Sequence, residues 1–452
     1  VPPAQPHGPE VEHVYVPLPV GALRPAGNLL AVEVHPHPSR SILVPTAPAA
    51  GVDLVVASGV RIVRGPYLVA PTEGRHGLGL SVAWETDLPA TGALEIEAAD
   101  AAPGERPRRI EARAAGTRQV VAIDDLGRGR RYNYRIEVSA SADAGGVGAG
   151  AGADMARAGP FSFETWAGPR QPLRFAVYGD MRYPGHAAHR SVVEALVREA
   201  PALVFNTGDL TDAGSEESNW QRYFEITAPL GAIAPVVPAF GNHDAARAGL
   251  GATKSWGLFG VASVAPPGLL PGWASLDLGG VHFVLLDTNQ AANPAQKQWL
   301  AADLAAARRR HARAIFAFGH EGPWSHGLHG SSSVMARDYA PLFAASGVDV
   351  MFSGHDHTYE RGAGSTPSGK LTYVVTGGGG APPYNPTCRA ATGPPPGDVP
   401  GPLPACPSSV AALTKTYHYI LVEVGADAIT MCPRRPDGSA VEPCVRLPRH
   451  NR

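Results

Sequence analysis

Between about Val60 and Thr165 apolar and polar residues alternate in short runs. Residues 78–84, 92–96, 120–123, 131–136 and 161–165 read as strands separated by turn residues, the pattern of a β-sandwich. The stretch from Ser139 to Gly159 is rich in Ala and Gly and poor in large apolar residues, as in a long hairpin insert. After Pro172 the period changes. Continuous apolar runs at 174–178, 202–206, 235–239, 281–286, 314–318, 348–352 and 371–375 predict buried strands. Periodic stretches at 186–199, 216–228, 295–307 and 336–345 predict helices between them. The fold class therefore shifts to α/β, with a further strand at 417–424 beyond a Pro/Gly-rich loop. Ahead of both regions, residues 29–35 read as one alternating strand within a β-rich segment 1–58, similar to the end of a jelly roll. The expected division is 1–58, 59–168 and 169–452.

Composition narrows the class. Lys and Arg number 38 against 40 Asp and Glu, without a basic stripe, so nucleic acid is not an expected partner. No apolar run reaches the ~18 residues a membrane helix needs, and the chain is read as soluble and mature. The four cysteines, Cys388, Cys406, Cys432 and Cys444, lack the C-x-x-C spacing of a zinc site and are expected to form disulfides. They permit three pairings, of which proximity favours Cys388 with Cys406 and Cys432 with Cys444. Disulfides imply an oxidising compartment, periplasmic or extracellular.

The chemistry is concentrated at strand ends. Gly179-Asp180, Gly208-Asp209, Gly241-Asn242-His243-Asp244, Gly319-His320 and Gly354-His355-Asp356-His357 each place a glycine before metal-binding residue types, where the strand's carboxyl end opens into the crevice of an α/β sheet. Carboxylates mixed with imidazoles and one amide suit Fe, Mn, Zn or a mixed pair. A shared aspartate can bridge two metals about 3.5–4 Å apart, and water between them becomes hydroxide near neutral pH.

In the order and spacing of these motifs, GD, GD, GNH, a lone His after a strand and GHxH, the chain resembles the calcineurin-like metallophosphoesterase superfamily, and within it the purple acid phosphatases. The runs Val63-Arg64-Gly65-Pro66-Tyr67-Leu68, Thr358-Tyr359-Glu360-Arg361 and Thr376-Gly377-Gly378-Gly379-Gly380 add to the likeness. It implies a four-layer α/β/β/α metallophosphoesterase sandwich preceded by an all-β fibronectin-III-like sandwich. It also implies hydrolysis of phosphate esters by a hydroxide bridging two divalent or mixed-valence metals, monoesters ahead of diesters. Carried over by motif, Asp180 and His357 bind the first metal, Asp209 bridges, and Asn242, His320 and His355 bind the second. His243 is the general acid or transition-state stabiliser, with Asp244 orienting its ring.

Two positions depart from the pattern. Purple acid phosphatases carry a metal-binding tyrosine where this chain has Asp212, so it should not be purple. Other superfamily members carry a histidine where it has Arg182. His189, with His186 competing, is the expected replacement ligand. Arg182 is a candidate phosphate contact or a structural ion pair, Asp212 a helix cap or a weak ligand. His326 and His329, in the glycine-rich loop after His320, are further substrate candidates, and Asn206 and Asn289 candidate supports. The rival from another class is a surface-binding protein with a vestigial metal domain, which should have lost several ligands.

Overall fold

The computed structural model describes residues 60–449 apart from 75–76, 103, 141–154, 183, 246–256 and 261–271. The expected strand at 29–35 and the middle of the Ala/Gly-rich insert lie outside the described residues.

The first region is all β: β1 (Ile62–Glu73), β2 (Leu78–Ala98), β3 (Arg108–Glu111), β4 (Gly116–Leu126), β5 (Arg131–Ala140) and β6 (Met155–Glu164). The two strands expected at 78–84 and 92–96 are one continuous β2. Its first half is flanked by β1 and β4 and its second by β3 and β5, with a register shift between Glu85 and Ala90. Turn residues within 85–91 therefore bend the strand rather than end it.

The second region carries two sheets. One runs in the order β19 (Val445–Pro448), β18 (Ala428–Arg434), β17 (Tyr419–Val424), β7 (Leu173–Tyr178), β8 (Leu203–Asn206), β9 (Val236–Pro238). The other runs β10 (Ala274–Leu278), β11 (Val281–Leu285), β12 (Ala314–Phe318), β13 (Val350–Ser353), β15 (Gly369–Thr376), β14 (Tyr359–Thr366), β16 (Val410–Thr414). Pairings β7–β8–β9 and β11–β12–β13–β15 are parallel, so their carboxyl ends lie on one side.

The inward faces of the sheets meet through phenylalanines. Phe205 stacks on Phe283 at 4.5 Å and on Phe318 at 4.6 Å, and Phe175 meets Phe283 and Phe316 edge-on. Helices α1 (His186–Glu199) and α2 (Glu217–Gly231) cover the first sheet. The second is covered by α4 (Pro294–Arg309) and α5 (Ala340–Ser346), whose Leu300, Leu304 and Phe343 pack with Val284, Ile315 and Met351. A single turn, α3 (Asn242–Ala245), follows β9. The expected helix at 336–345 is split: Met335–Tyr339 winds as a π turn before α5. The β region is fastened to α2: Tyr134 donates to the Ala232 carbonyl at 2.8 Å, and Arg64 pairs with Glu217 at 2.6 Å. Both disulfides form as proximity suggests, Cys388–Cys406 and Cys432–Cys444. Among the described residues no helix is long and apolar enough to cross a membrane.

One buried ion cluster ties β10, β11 and α4 together. His282 is fully buried, with Nδ1 2.9 Å from Asp277 and Nε2 2.9 Å from Asp303. Ionised carboxylates only accept, so both ring nitrogens must donate and the ring is an imidazolium. Burial pushes its pKa down, but the two carboxylates outweigh that and leave it raised. A raised folded-state value makes this contribution complete below the unfolded imidazole value and loses it as pH rises through the folded one. We expect the melting-temperature advantage of the wild type over His282→Gln to be largest near pH ~5.5 and to shrink steadily above about pH 6.5. An advantage that stays constant with pH would contradict this.

Candidate metal centre

Asp180 and Asp209 leave β7 and β8 side by side, both buried, with Asp180 N donating to the Gly208 carbonyl and Met181 N to that of Asp209. Asp180, Asp209 and His355 all adopt positive φ, at 59°, 53° and 70°. Non-glycine residues rarely take this conformation, which aims each side chain back across the strand ends and is a form of strain found at functional sites. The glycines beside them are needed for space: a Cβ on Gly354 would collide with the Asp180 carboxylate and one on Gly241 with that of Asp209.

The donor atoms converge on His320 Nε2. Asn242 Oδ1 lies 3.1 Å away, His355 Nδ1 3.1 Å and Asp209 Oδ1 3.3 Å. His320 Nδ1 is 3.0 Å from the Thr207 carbonyl, which takes its proton and leaves Nε2 as a lone pair. Asp180, Asp209 and His320 form a buried group able to hold a metal ion. On the other side, His357 donates from Nδ1 to the Pro382 carbonyl at 2.9 Å, while its Nε2, 3.6 Å from Asp180, is buried without a hydrogen-bond partner. Burial, together with neighbouring histidines, holds His355 down to about 3, and burial holds His357 down to about 4, so both rings are neutral. Burial and the adjacent Asp209 push Asp180 well up. Two carboxylates side by side, neutral imidazoles and a stranded ring nitrogen form a donor set that a cation completes.

His243 is half-buried, its Nδ1 2.8 Å from the Asp212 carbonyl and its Nε2 4.0 Å from Asp209. The expected partner, Asp244, does not orient it. Asp244 instead accepts from Gly241 N, Thr211 N and the Thr211 hydroxyl, bracing the turn from inside, and burial with Asp209 nearby raises it to about 7. Asp212 is no helix cap either, since α2 begins five residues later; its carboxylate faces Arg182 at 3.5 Å. Arg182 also lies 3.4 Å from Asp209 Oδ2 and 3.3 Å from the Tyr384 hydroxyl. His189 lines a pocket together with Arg182 and Asp212, and its Nε2, like that of His357, is buried without a hydrogen-bond partner. Helix α1 turns its ring between Tyr178 and Tyr223, each 6.0 Å away, in a pocket wall shared with His186.

Of the loop histidines, His329 stacks on His355 at 4.2 Å. His326 is turned away and held by the buried Glu360, which accepts from its Nδ1 at 2.8 Å and its N at 2.7 Å. Asn206 and Asn289 brace strand ends, Asn206 accepting from Gly208 N and Asn289 donating to the Gly241 carbonyl.

Two residues escaped the sequence reading. Asp356, the middle residue of GHxH, is buried and accepts from His329 N, Gly330 N and the Ser325 hydroxyl, so it shapes the loop that carries His329. Tyr384 stacks flat on His357 at 3.9 Å; its position after the glycine run Gly377-Gly378-Gly379-Gly380, which wraps behind Asp180, was the available signal.

Residues 173–359 match the family model for calcineurin-like phosphoesterases. Purple acid phosphatase 18 of Arabidopsis thaliana is 28% identical over 225 residues, 46% of this chain and 50% of that protein. The chain thus spans about half the length of the curated relatives it matches. Among solved structures, purple acid phosphatase PPD1 from yellow lupin (Lupinus luteus) seeds superposes with a TM-score of 0.66 at 15% identity, covering 86% of this chain and 74% of that one. PhoD superposes with a TM-score of 0.57 at 13% identity, covering 86% and 88%. These two likenesses speak to the fold.

Removing the Asp356 carboxylate strands three donors around the loop. Asp356→Ala is expected to cost about 1–3 kcal/mol in a denaturant melt, and a variant as stable as the wild type would refute the anchoring role.

Proposed function

Because the chain is a member of the calcineurin-like metallophosphoesterase superfamily close to the purple acid phosphatases, we propose that it hydrolyses phosphate esters, monoesters ahead of diesters. The reaction centre is the donor set Asp180, Asp209, Asn242, His320, His355 and His357. The observation that carries this reading is the convergence of Asn242, His355 and Asp209 on one ring nitrogen of His320. Two ions of Fe, Mn or Zn held there would supply Lewis-acid charge and a water acidified toward neutrality.

The chain's own groups do the rest. The Asp212 carbonyl keeps a proton on His243 Nδ1, so a protonated His243 delivers its second proton from Nε2, on the Asp209 side, to the leaving-group oxygen. His329, stacked over His355, presents its ring to a phosphoryl oxygen. The Tyr384 hydroxyl, whose pKa burial raises, stays protonated and is a second donor to substrate oxygens. His326 has no part here because Glu360 holds it. The β region, read as a fibronectin-III-like sandwich, braces α2, and the two disulfides support a periplasmic or extracellular location.

Steady-state hydrolysis of aryl phosphate mono- and diesters before and after chelation tests this reading. The monoester should be preferred, with activity lost on stripping and restored by added metal. A preference for the diester would reassign the substrate, and activity indifferent to chelation would overturn the metal centre. His243→Ala should lower kcat by ~10²–10⁴-fold with little change in KM; an unchanged kcat removes His243 from the reaction.

A further inference from the structure

The two halves of the centre are not equally built. Around His320 Nε2 gather donors from Asp209, Asn242 and His355, four with the ring nitrogen itself. Among the described residues, the half next to Asp180 offers Asp180, His357 and the second oxygen of Asp209, while His189, its Nε2 also buried without a hydrogen-bond partner, lies between Tyr178 and Tyr223. That second oxygen, Oδ2, is already covered by a cation, the Arg182 guanidinium at 3.4 Å. The guanidinium is permanently charged. Its other contacts are Asp212 Oδ1 at 3.5 Å, on a side chain 43% exposed, and the Tyr384 hydroxyl at 3.3 Å. The two departures from the family pattern, Arg182 and Asp212, are thus partners in space and form one ion pair.

Resting on the phosphoesterase reading, we propose that Arg182 is a charge placeholder in the first half-site. One metal ion binds tightly at Asp209, Asn242, His320 and His355. A second binds between Asp180 and His357 only by displacing the guanidinium from Asp209 Oδ2 toward Asp212. Two observations require both parts. The unpartnered, buried Nε2 of His357 shows that the first half-site can still take a cation, so it is not closed. The guanidinium on the shared carboxylate sets two like charges in competition for one oxygen, so the second ion is held less firmly than the first. Occupancy of the second position then follows the ambient metal concentration, and the enzyme passes from a one-ion to a two-ion form.

The test is a titration of the full, chelator-stripped chain with Mn²⁺, followed by calorimetry and by electron paramagnetic resonance of the bound ion. The wild type should bind one equivalent tightly and a second ~100-fold more weakly, with spin coupling appearing only during the second step. Arg182→Ala and Arg182→Gln should each tighten the second step by at least about tenfold and leave the first unchanged, whereas His320→Ala should remove the first. Two equally tight steps in the wild type, or a second step indifferent to both Arg182 variants, would overturn the placeholder. Absence of any Mn²⁺ binding would overturn it together with the metal-dependent function. A chain that shows the two-step pattern but hydrolyses no phosphate ester would sink the proposed function and leave the placeholder standing.

Discussion

Asp180 and Asp209 are buried side by side, and the rest of the α/β region is arranged around that fact. Two carboxylates removed from water repel each other and lose their hydration, a cost that hydrogen-bond donors, nearby positive charge or protonation can offset. The chain supplies backbone N–H groups, from His355 to Asp180 and from His243 to Asp209, and one guanidinium from Arg182. It also supplies neutral imidazoles, which bring lone pairs and no charge. A bound cation would supply the remaining charge. The positive φ values, the glycines without room for a Cβ and the hydrogen bonds between successive strand ends are the backbone's means of holding the carboxylates there.

The loops over the centre are held largely by hydrogen bonds made outside the proposed donor set. Asp356 draws in three donors from 325–330 and so lays His329 on His355. Tyr384 N donates to the His357 carbonyl and Thr387 N to that of His326, which locks the two covering loops to each other, and Cys388–Cys406 closes the loop just beyond. His418, neutral and fully buried, spans the Thr376 hydroxyl and the Thr416 carbonyl and steadies the glycine turn behind Asp180. Precision at the centre is therefore inherited from buried polar contacts two layers out.

What could be read from sequence was what depends on local pattern. Apolar runs of strand length followed by glycine and a polar residue located β7, β8, β12 and β13 and the residues at their ends, because a strand exit is a local event. What could not be read depends on which strands become neighbours. Arg182 and Asp212 meet because β7 and β8 pair in parallel. Asp356 reaches back about thirty residues to its loop. His189, expected as a replacement ligand, lies on α1 between Tyr178 and Tyr223, a placement set by the phase of the helix. Asp244 follows His243 directly, yet in a single helical turn adjacent side chains point apart, so the carboxylate braces Gly241 and Thr211 instead. The merging of two expected strands into β2 likewise reflects partners on both edges that bend the chain without breaking it.

These strand ends are proposed to converge on a bound metal. Anomalous diffraction from crystals of the full chain, recorded at the absorption edge of the bound element, tests it most directly. A peak enclosed by Asp209, Asn242, His320 and His355 is expected. A peak elsewhere, or none in crystals grown with Mn²⁺ or Zn²⁺, would contradict it.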